Sequence, residues 1–132
     1  MNRLRKIIML IAALALCGCG NDADESRQQG AMLARAVGAP VLAVEAAQLK
    51  RLAPAGTSMI VQERAWPQGI ASLRPQEVRV TPEGVFVQRF RIPEREQGVF
   101  IAYADTIVST APDRNPSFTP VDGLVYQYTL KH

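Results

Sequence analysis

The sequence predicts an α+β domain in which N-terminal helices pack on an antiparallel β-meander of about four strands. Two observations support this fold class. Apolar residues recur every three or four positions between residues 26 and 52, the period of an amphipathic helix, and beyond Pro75 they alternate with polar residues, the period of a strand. Helices that come first and strands that follow favour helices on one face of an antiparallel sheet.

Two helices are predicted in the first half of the body, by which we mean the chain from Cys19 onward. The first covers residues 26–37, with a polar cap before it and Gly38 at its end. The second covers residues 40–52, where Pro40 suits the first turn and apolar residues follow at spacings of four, three and three. These residues, expected on one buried face, are Leu42, Ala46, Leu49 and Leu52.

The second half is predicted to be mainly extended. Residues 59–62 form either a short strand or the approach to a helical turn at 67–73. Four alternating segments then predict strands at 77–81, 85–92, 99–104 and 124–130. The strand at 85–92 is expected to place Phe86, Phe90 and Ile92 on one face.

Two connections between these strands lack a regular pattern. Residues 93–98 (PEREQG) read as a charged loop between the second and third strands. Residues 111–123 contain three prolines and are expected to be an irregular crossing loop.

The first 18 residues have the pattern of an export signal. A basic start with Arg3, Arg5 and Lys6 precedes an uninterrupted apolar run at 7–16, and small residues follow. That run is about half of the roughly 20 residues that a membrane-spanning helix needs. The segment therefore predicts export of the chain and removal of residues 1–18.

The end of this leader resembles the lipobox of bacterial lipoproteins. In that family a leucine stands three residues before an acceptor cysteine, a small residue stands directly before it, and the thiol receives a diacylglycerol. The matching residues are Leu16, Cys17, Gly18 and Cys19. Cys17 departs from the small or hydroxylated residue that is usual in its place, and the alternative is an ordinary secretory signal.

The resemblance implies lipidation at Cys19 and attachment to a membrane through acyl chains. It divides the chain into a leader, a lipidated N-terminus and tether at 19–26, and one small α+β domain at 27–132. Gly20 follows the acceptor where Asp would favour the inner membrane, so the resemblance implies the outer membrane, facing the periplasm.

Charge and cysteine content exclude several classes of protein. The three excess cations of the +3 chain lie in the leader, so the sequence from Cys19 onward carries 12 basic and 12 acidic residues. Nucleic-acid binding, which requires clustered Lys and Arg, is therefore not expected. Cys17 and Cys19 are the two cysteines, so the body has no thiol for a disulfide, a nucleophile or a zinc site.

No catalytic set is evident, and we predict no cofactor and no metal site. His132 is the one histidine and the last residue, a position expected to fray. Six acidic residues are scattered along the body, and two of them could meet as an acid–base pair: Glu63, Glu77, Glu83, Asp105, Asp113 and Asp122. Asp105 is the first candidate, because it follows the apolar run at 99–104.

Two features suggest recognition of a partner. Arg89 and Arg91 are expected on one strand face, with Arg95 just beyond, where they could bind an anionic group; the alternative is a solvated sheet surface. Trp66, next to Pro67, could be an exposed anchor for a partner; the alternative is a core residue that holds a loop to the sheet.

These observations predict a lipid-anchored, non-enzymatic binding module with a protein partner in the periplasm. An immunity protein against an exported toxin and an accessory subunit of an envelope complex both fit. A small carboxylate-dependent hydrolase of envelope material is the alternative. A structural lipoprotein whose tether matters more than its domain is a third possibility.

Overall fold

The computed structural model describes residues 22–132, so the leader and the predicted lipidation at Cys19 lie outside the described residues. The elements in chain order are helix α1 (Asp22–Val37), helix α2 (Ala39–Lys50), strand β1 (Met59–Val61), a 3-10 turn (Glu63–Ala65), helix α3 (Gln68–Ala71), and strands β2 (Glu77–Val80), β3 (Gly84–Ile92), β4 (Arg95–Ala102), β5 (Ser117–Asp122) and β6 (Val125–Lys131).

The predicted α+β class is confirmed, with six strands rather than about four. The sheet has the order β1-β2-β3-β4-β6-β5, and each neighbouring pair is antiparallel. The chain therefore leaves the meander after β4, adds β5 at the outer edge, and returns through β6 to pair with β4.

The helix α1 begins earlier than the sequence predicted. It starts at Asp22 and not at Ser26, because Asp22, Asp24 and Glu25 all lie in its first turn, where carboxylates are stabilised by the exposed amides and the helix dipole. Residues 22–26, expected in the tether, are thus helical. Only Gly20 and Asn21 stand between Cys19 and this helix.

The helix α2 follows after one residue, Gly38, whose φ of 99° permits the sharp change of direction. Leu42, Ala46 and Leu49 are buried as predicted, but Leu52 is exposed because the helix ends at Lys50. No single helix within residues 22–132 is long and apolar enough to cross a bilayer. The two N-terminal helices reach that length and apolarity only together, with a bend of 92° between them.

The main core lies between the helices and one face of the sheet, the helix-covered face. Its central side chains are fully buried, and each contributes on the order of 1.5–3 kcal/mol relative to an exposed position. They come from α2, from the segment around α3 and from three strands: Leu42, Ile70, Leu73, Val78, Val85, Val87, Val99 and Ile101.

A β-bulge in β3 reverses which side chains share a face. The register shifts between Gln88 and Phe90, so one extra residue, Arg89, is inserted opposite β4. Beyond an inserted residue every side chain changes face. The prediction that Phe86 shares a face with Phe90 and Ile92 is therefore wrong: Phe86 pairs with Phe100 on the opposite face from Phe90.

Two segments predicted to be loops are strands. The expected charged loop at 93–98 is mostly the beginning of β4, in which Glu96 and Gln97 are buried. The expected crossing loop at 111–123 contains β5. Strand β5 tolerates Pro120 because it is an edge strand and pairs on one side only.

Candidate functional site

The second face of the sheet, opposite the helices, carries an aromatic cluster. Its members are Phe86, Phe100, Phe118, Tyr126 and Tyr128. The ring centroids of Phe86 and Phe100 are 4.6 Å apart, those of Phe100 and Phe118 4.8 Å, and Tyr128 meets Phe86 edge-on at 4.9 Å. Such pairs each add about 0.5–1.5 kcal/mol beyond the area they bury, so this face is a rigid platform.

Residues 104–116 form a long loop over this platform. Near its start, the Thr106 hydroxyl donates to the Glu83 carbonyl at 2.8 Å. At its end, the Asn115 side chain donates to the Lys131 carbonyl at 2.7 Å and accepts from the Lys131 amide at 2.8 Å. The two attachments lie at opposite ends of the sheet, so the loop crosses the second face along the strands.

Between the loop and the platform is a cleft of about 460 Å³, which we call the loop cleft. Phe100 and Phe118 form its apolar floor, and Glu83 and Arg114 place opposite charges at its edge. The lining is about half apolar and half polar, and a cleft of this size is within the range of binding sites.

The loop presents one apolar side chain outward. Val108 packs against the aromatic cluster, whereas its neighbour Ile107 is 98% exposed. Ile107 also lines the loop cleft, so the exposed side chain and the cleft belong to one surface. Neither residue was singled out in the sequence; an isoleucine–valine pair between polar and turn residues is the signal that could have found them.

A buried carboxylate, also missed in the sequence, lies elsewhere on the second face. Glu96 is 3% exposed and accepts a hydrogen bond of 2.8 Å from the Tyr128 hydroxyl. Arg79 Nη2 lies 3.6 Å from the same carboxylate, and His132 Nε2 lies 3.8 Å from its other oxygen. Alternation along β4, which places Glu96 on the face of Phe100, is the signal that could have found it.

This carboxylate group is packed and does not line the loop cleft. Burial, followed by the charge of Glu96 and the hydrogen bond to it, raises the pKa of Tyr128 far above its usual value. The neutral hydroxyl therefore stays a donor to Glu96 throughout the neutral range. The arrangement holds β4 to β6 and is a structural pair rather than a base beside a substrate.

Trp66 lies against the helix-side core. Its ring is half-buried and packs on that core, and its indole N–H donates to the Val61 carbonyl at 3.0 Å. A tryptophan with its polar atom bonded and its ring packed favours the second of the two alternatives, a core residue that holds a loop to the sheet.

The three predicted arginines do not converge on one patch. The bulge turns Arg89 toward the helices, where it donates to the Leu73 carbonyl at 2.7 Å, to the Ser26 carbonyl, and to the Gln29 side chain at 2.8 Å. Burial, and to a lesser extent the charge of Arg74, lowers the pKa of Arg89.

Arg91 is exposed and is paired with Glu96 across β3 and β4, on the opposite face from Arg89. The predicted common face of these two arginines is therefore wrong. Arg95 is half-buried between Ile92 and Lys131, and its Nε is buried without a hydrogen-bond partner in the described chain.

The other predicted polar positions are mostly solvated. Of the six acidic candidates, Glu77 is half-buried and contacts Arg79 at 3.3 Å, and the remaining five are exposed: Glu63, Glu83, Asp105, Asp113 and Asp122. Within residues 22–132 no group of three or more metal-ligating side chains comes together. His132 is held in place, because its amide donates to the Glu94 carbonyl at 2.9 Å.

No protein-family model matches the chain, and no curated protein or solved structure matches it significantly.

Proposed function

We propose that this protein is a lipid-anchored binding module of the bacterial envelope, which recognises a protein partner in the periplasm through residues 104–116 and the loop cleft. The observation that carries the proposal is Ile107, which is 98% exposed beside a cleft of about 460 Å³ with an aromatic floor. An exposed aliphatic side chain next to such a cleft is typical of a surface that a partner covers.

The shape of the surface supports recognition of a protein. The loop is attached at both ends, through Thr106 and Asn115, and its floor is a packed aromatic platform. A partner that binds a preorganised loop loses less conformational entropy than one that must order it. The charges of Glu83 and Arg114 at the cleft edge add orientation, since a partner must present opposite charges in matching places.

The cleft offers little to a hydrolase. Acid–base cleavage of a glycosidic bond needs two carboxyl groups about 5–10 Å apart. Glu83 is the one carboxylate among the residues that line the loop cleft, and the buried Glu96 lies outside it. These facts favour the binding module over the carboxylate-dependent hydrolase.

The anchoring part of the proposal depends on the leader, in which Cys19 stands in the acceptor position of the lipobox resemblance. Two or more acyl chains make membrane attachment durable, whereas one chain is marginal. Replacement of Cys19 by Ser should move the protein from the membrane fraction to the soluble fraction. Retention of the variant in membranes would refute the lipid anchor without touching the binding surface.

Site-specific photocrosslinking in living cells tests the binding surface. A photoreactive residue at position 107 should capture one stoichiometric partner, whereas the same residue at position 60 should not. Ile60 is a matched control, because it is also an exposed isoleucine, at 62%, but lies on edge strand β1. Capture at both positions alike, or at neither while the protein remains in the membrane, would overturn the proposal.

The identity of the captured protein separates the two special cases. A secreted toxin would establish an immunity protein, and an assembly or transport component would establish an accessory subunit. The variant Ile107→Gln should weaken capture from a neighbouring position at least tenfold, while Ile60→Gln should leave it unchanged, because removal of a central apolar contact costs about 1.4 kcal/mol or more.

A further inference from the structure

A second crevice lies on the other side of residues 104–116, between α2 and the end of β4. Its volume is about 430 Å³, within the range of small-molecule sites. Its wall is mainly small and apolar, with Ala43, Val44 and Ala47 from the helix and Leu124 from the turn before β6. Val44 is 59% exposed, so no other part of the described chain covers this wall.

Two opposite charges lie at the edges of this crevice. Lys50 is at the end of α2, and its ammonium lies 4.5 Å from the centroid of the Tyr103 ring. Asp105 is on the loop side and is exposed. Within residues 22–132 the salt bridges are formed by other side chains, so both charges are available to a ligand.

A buried polar group in the same wall lacks a partner. Tyr103 is 5% exposed, and its hydroxyl forms no hydrogen bond with the described residues. Buried hydroxyls in folded proteins are normally hydrogen-bonded, and an exception calls for an explanation. This hydroxyl is inaccessible from the crevice, so a ligand there would contact the Tyr103 ring and not its hydroxyl.

We infer that this crevice binds an apolar zwitterion, that is, an aliphatic amino acid or a short aliphatic peptide with free termini. The carboxylate of the ligand pairs with Lys50, its ammonium pairs with Asp105, and its aliphatic side chain lies on Ala43, Val44 and Ala47. A ligand with a single charge would pair with only one of Lys50 and Asp105. A polar ligand side chain would lose hydration against the apolar wall. Apart from Ala104 and Asp105 at the start of the loop, this site lies outside the proposed protein-binding surface, and the inference does not depend on the proposed function.

The test is a titration of the mature protein, in detergent micelles, with leucyl-leucine. Alanine methyl NMR signals give a site-resolved readout, because Ala43 and Ala47 line the crevice whereas Ala34 is buried and Ala36 is exposed on α1. We expect saturable shifts of the Ala43 and Ala47 methyl signals and unchanged signals from Ala34 and Ala36. The dipeptide with blocked termini should bind at least tenfold more weakly, since it has neither charge.

Variants assign the two charges. Lys50→Gln and Asp105→Asn should each weaken binding of leucyl-leucine at least tenfold. The matched controls Arg51→Gln and Asp113→Asn, which remove the same charges from exposed positions outside the crevice, should leave the affinity unchanged. No saturable shift up to about 10 mM dipeptide, equal shifts on both helices, or unchanged affinity in the two crevice variants would each overturn the inference.

Discussion

Removal of one oxygen atom, in Tyr128→Phe, should destabilise the domain more than any other tyrosine-to-phenylalanine change in the aromatic cluster. The ring stays in place against Phe86, and only the hydrogen bond of 2.8 Å to Glu96 is lost. A hydrogen bond to a charged group contributes about 1.5–3 kcal/mol to stability, and removal of one partner leaves the buried carboxylate less well satisfied. We therefore expect a loss of about 2–3 kcal/mol.

Urea unfolding followed by the fluorescence of the single tryptophan, Trp66, measures this loss. With a slope of about 1–3 kcal/mol per molar urea for a domain of this size, the midpoint should fall by roughly 1 M or more. The control is Tyr126→Phe, because Tyr126 pairs with Phe100 in the same cluster and lies farther along β6 from Glu96. A change of less than about 0.5 kcal/mol is expected for the control.

The stability that Tyr128 contributes should decrease at high pH. The pKa of Tyr128 is raised in the folded state, so the stability that this tyrosine contributes is fully present below its unfolded pKa of about 10. It is lost as pH rises from there toward the raised folded pKa, at about 1.4 kcal/mol per pH unit. The difference between the wild type and Tyr128→Phe should thus be constant from pH 7 to 9 and shrink above pH 10.

Two outcomes would refute this reasoning. Equal midpoints for the two single variants would mean that the bond to Glu96 contributes nothing beyond its surroundings. A Tyr128→Phe difference that persists unchanged to pH 11 would mean that the hydroxyl ionises alike in the folded and unfolded states. A double-mutant cycle with Glu96→Gln isolates the pair, and its coupling energy should account for most of the loss.

Three further predictions concern the frame that supports the two surfaces. Arg89→Ala should lower the free energy of unfolding in urea by about 3 kcal/mol, because two backbone carbonyls lose a charged donor. The control Arg91→Ala, at an exposed position, should lower it by less than about 0.5 kcal/mol. Equal losses would contradict the structural role of Arg89. Gly98→Ala should cost more than about 3 kcal/mol or prevent soluble expression, since its Cβ would collide with the Val87 carbonyl oxygen; a wild-type melting temperature would disprove that contact. Glu45→Gln should cost about 1 kcal/mol, because its carboxylate accepts from two amides at the start of α3, and a loss absent in thermal unfolding would count against this cap.

The sequence predicted the elements whose pattern is local. The buried face of α2 follows from the spacing of Leu42, Ala46 and Leu49, and β2 follows from the alternation of Val78 and Val80. In both elements the partner surface is continuous and apolar, so periodicity alone determines which side is buried.

The elements that were mispredicted depend on distant residues. The start of β4 looked like a charged loop because Glu96 is buried through Tyr128, which lies 32 residues later. The bulge at Arg89 depends on carbonyls of Leu73 and Ser26, which the strand sequence cannot reveal. Pro120 argued against a strand, and only its position at the sheet edge makes β5 possible.

The candidate sites were predictable only in part. The apolar run before Asp105 makes it the first acidic candidate, and it does line a crevice, but no local pattern pairs it with Lys50. Ile107 carries no periodic signal, because its exposure results from Val108, the next residue, entering the aromatic cluster. The exposure of a loop side chain depends on the surface beneath the loop, which forms only in the folded chain.

The early start of α1 has a consequence for where the protein can act. On the proposal that Cys19 is acylated, three Cα–Cα steps separate it from Asp22, a distance of at most about 11 Å. The start of α1 is attached to the sheet through Arg89, which lies beside Gln97 and Gly98 near the middle of β4.

On the same proposal, this short connection keeps the domain next to the membrane surface. Residues 104–116 run the length of the second face, between the attachments at Thr106 and Asn115, so on that proposal the whole binding surface stays within the height of one domain above the bilayer. Encounters then take place within one thin layer, where confinement raises the effective concentration of neighbours in the same membrane. On this proposal, a partner anchored in the same membrane would meet residues 104–116 more often than a partner that diffuses through the periplasm.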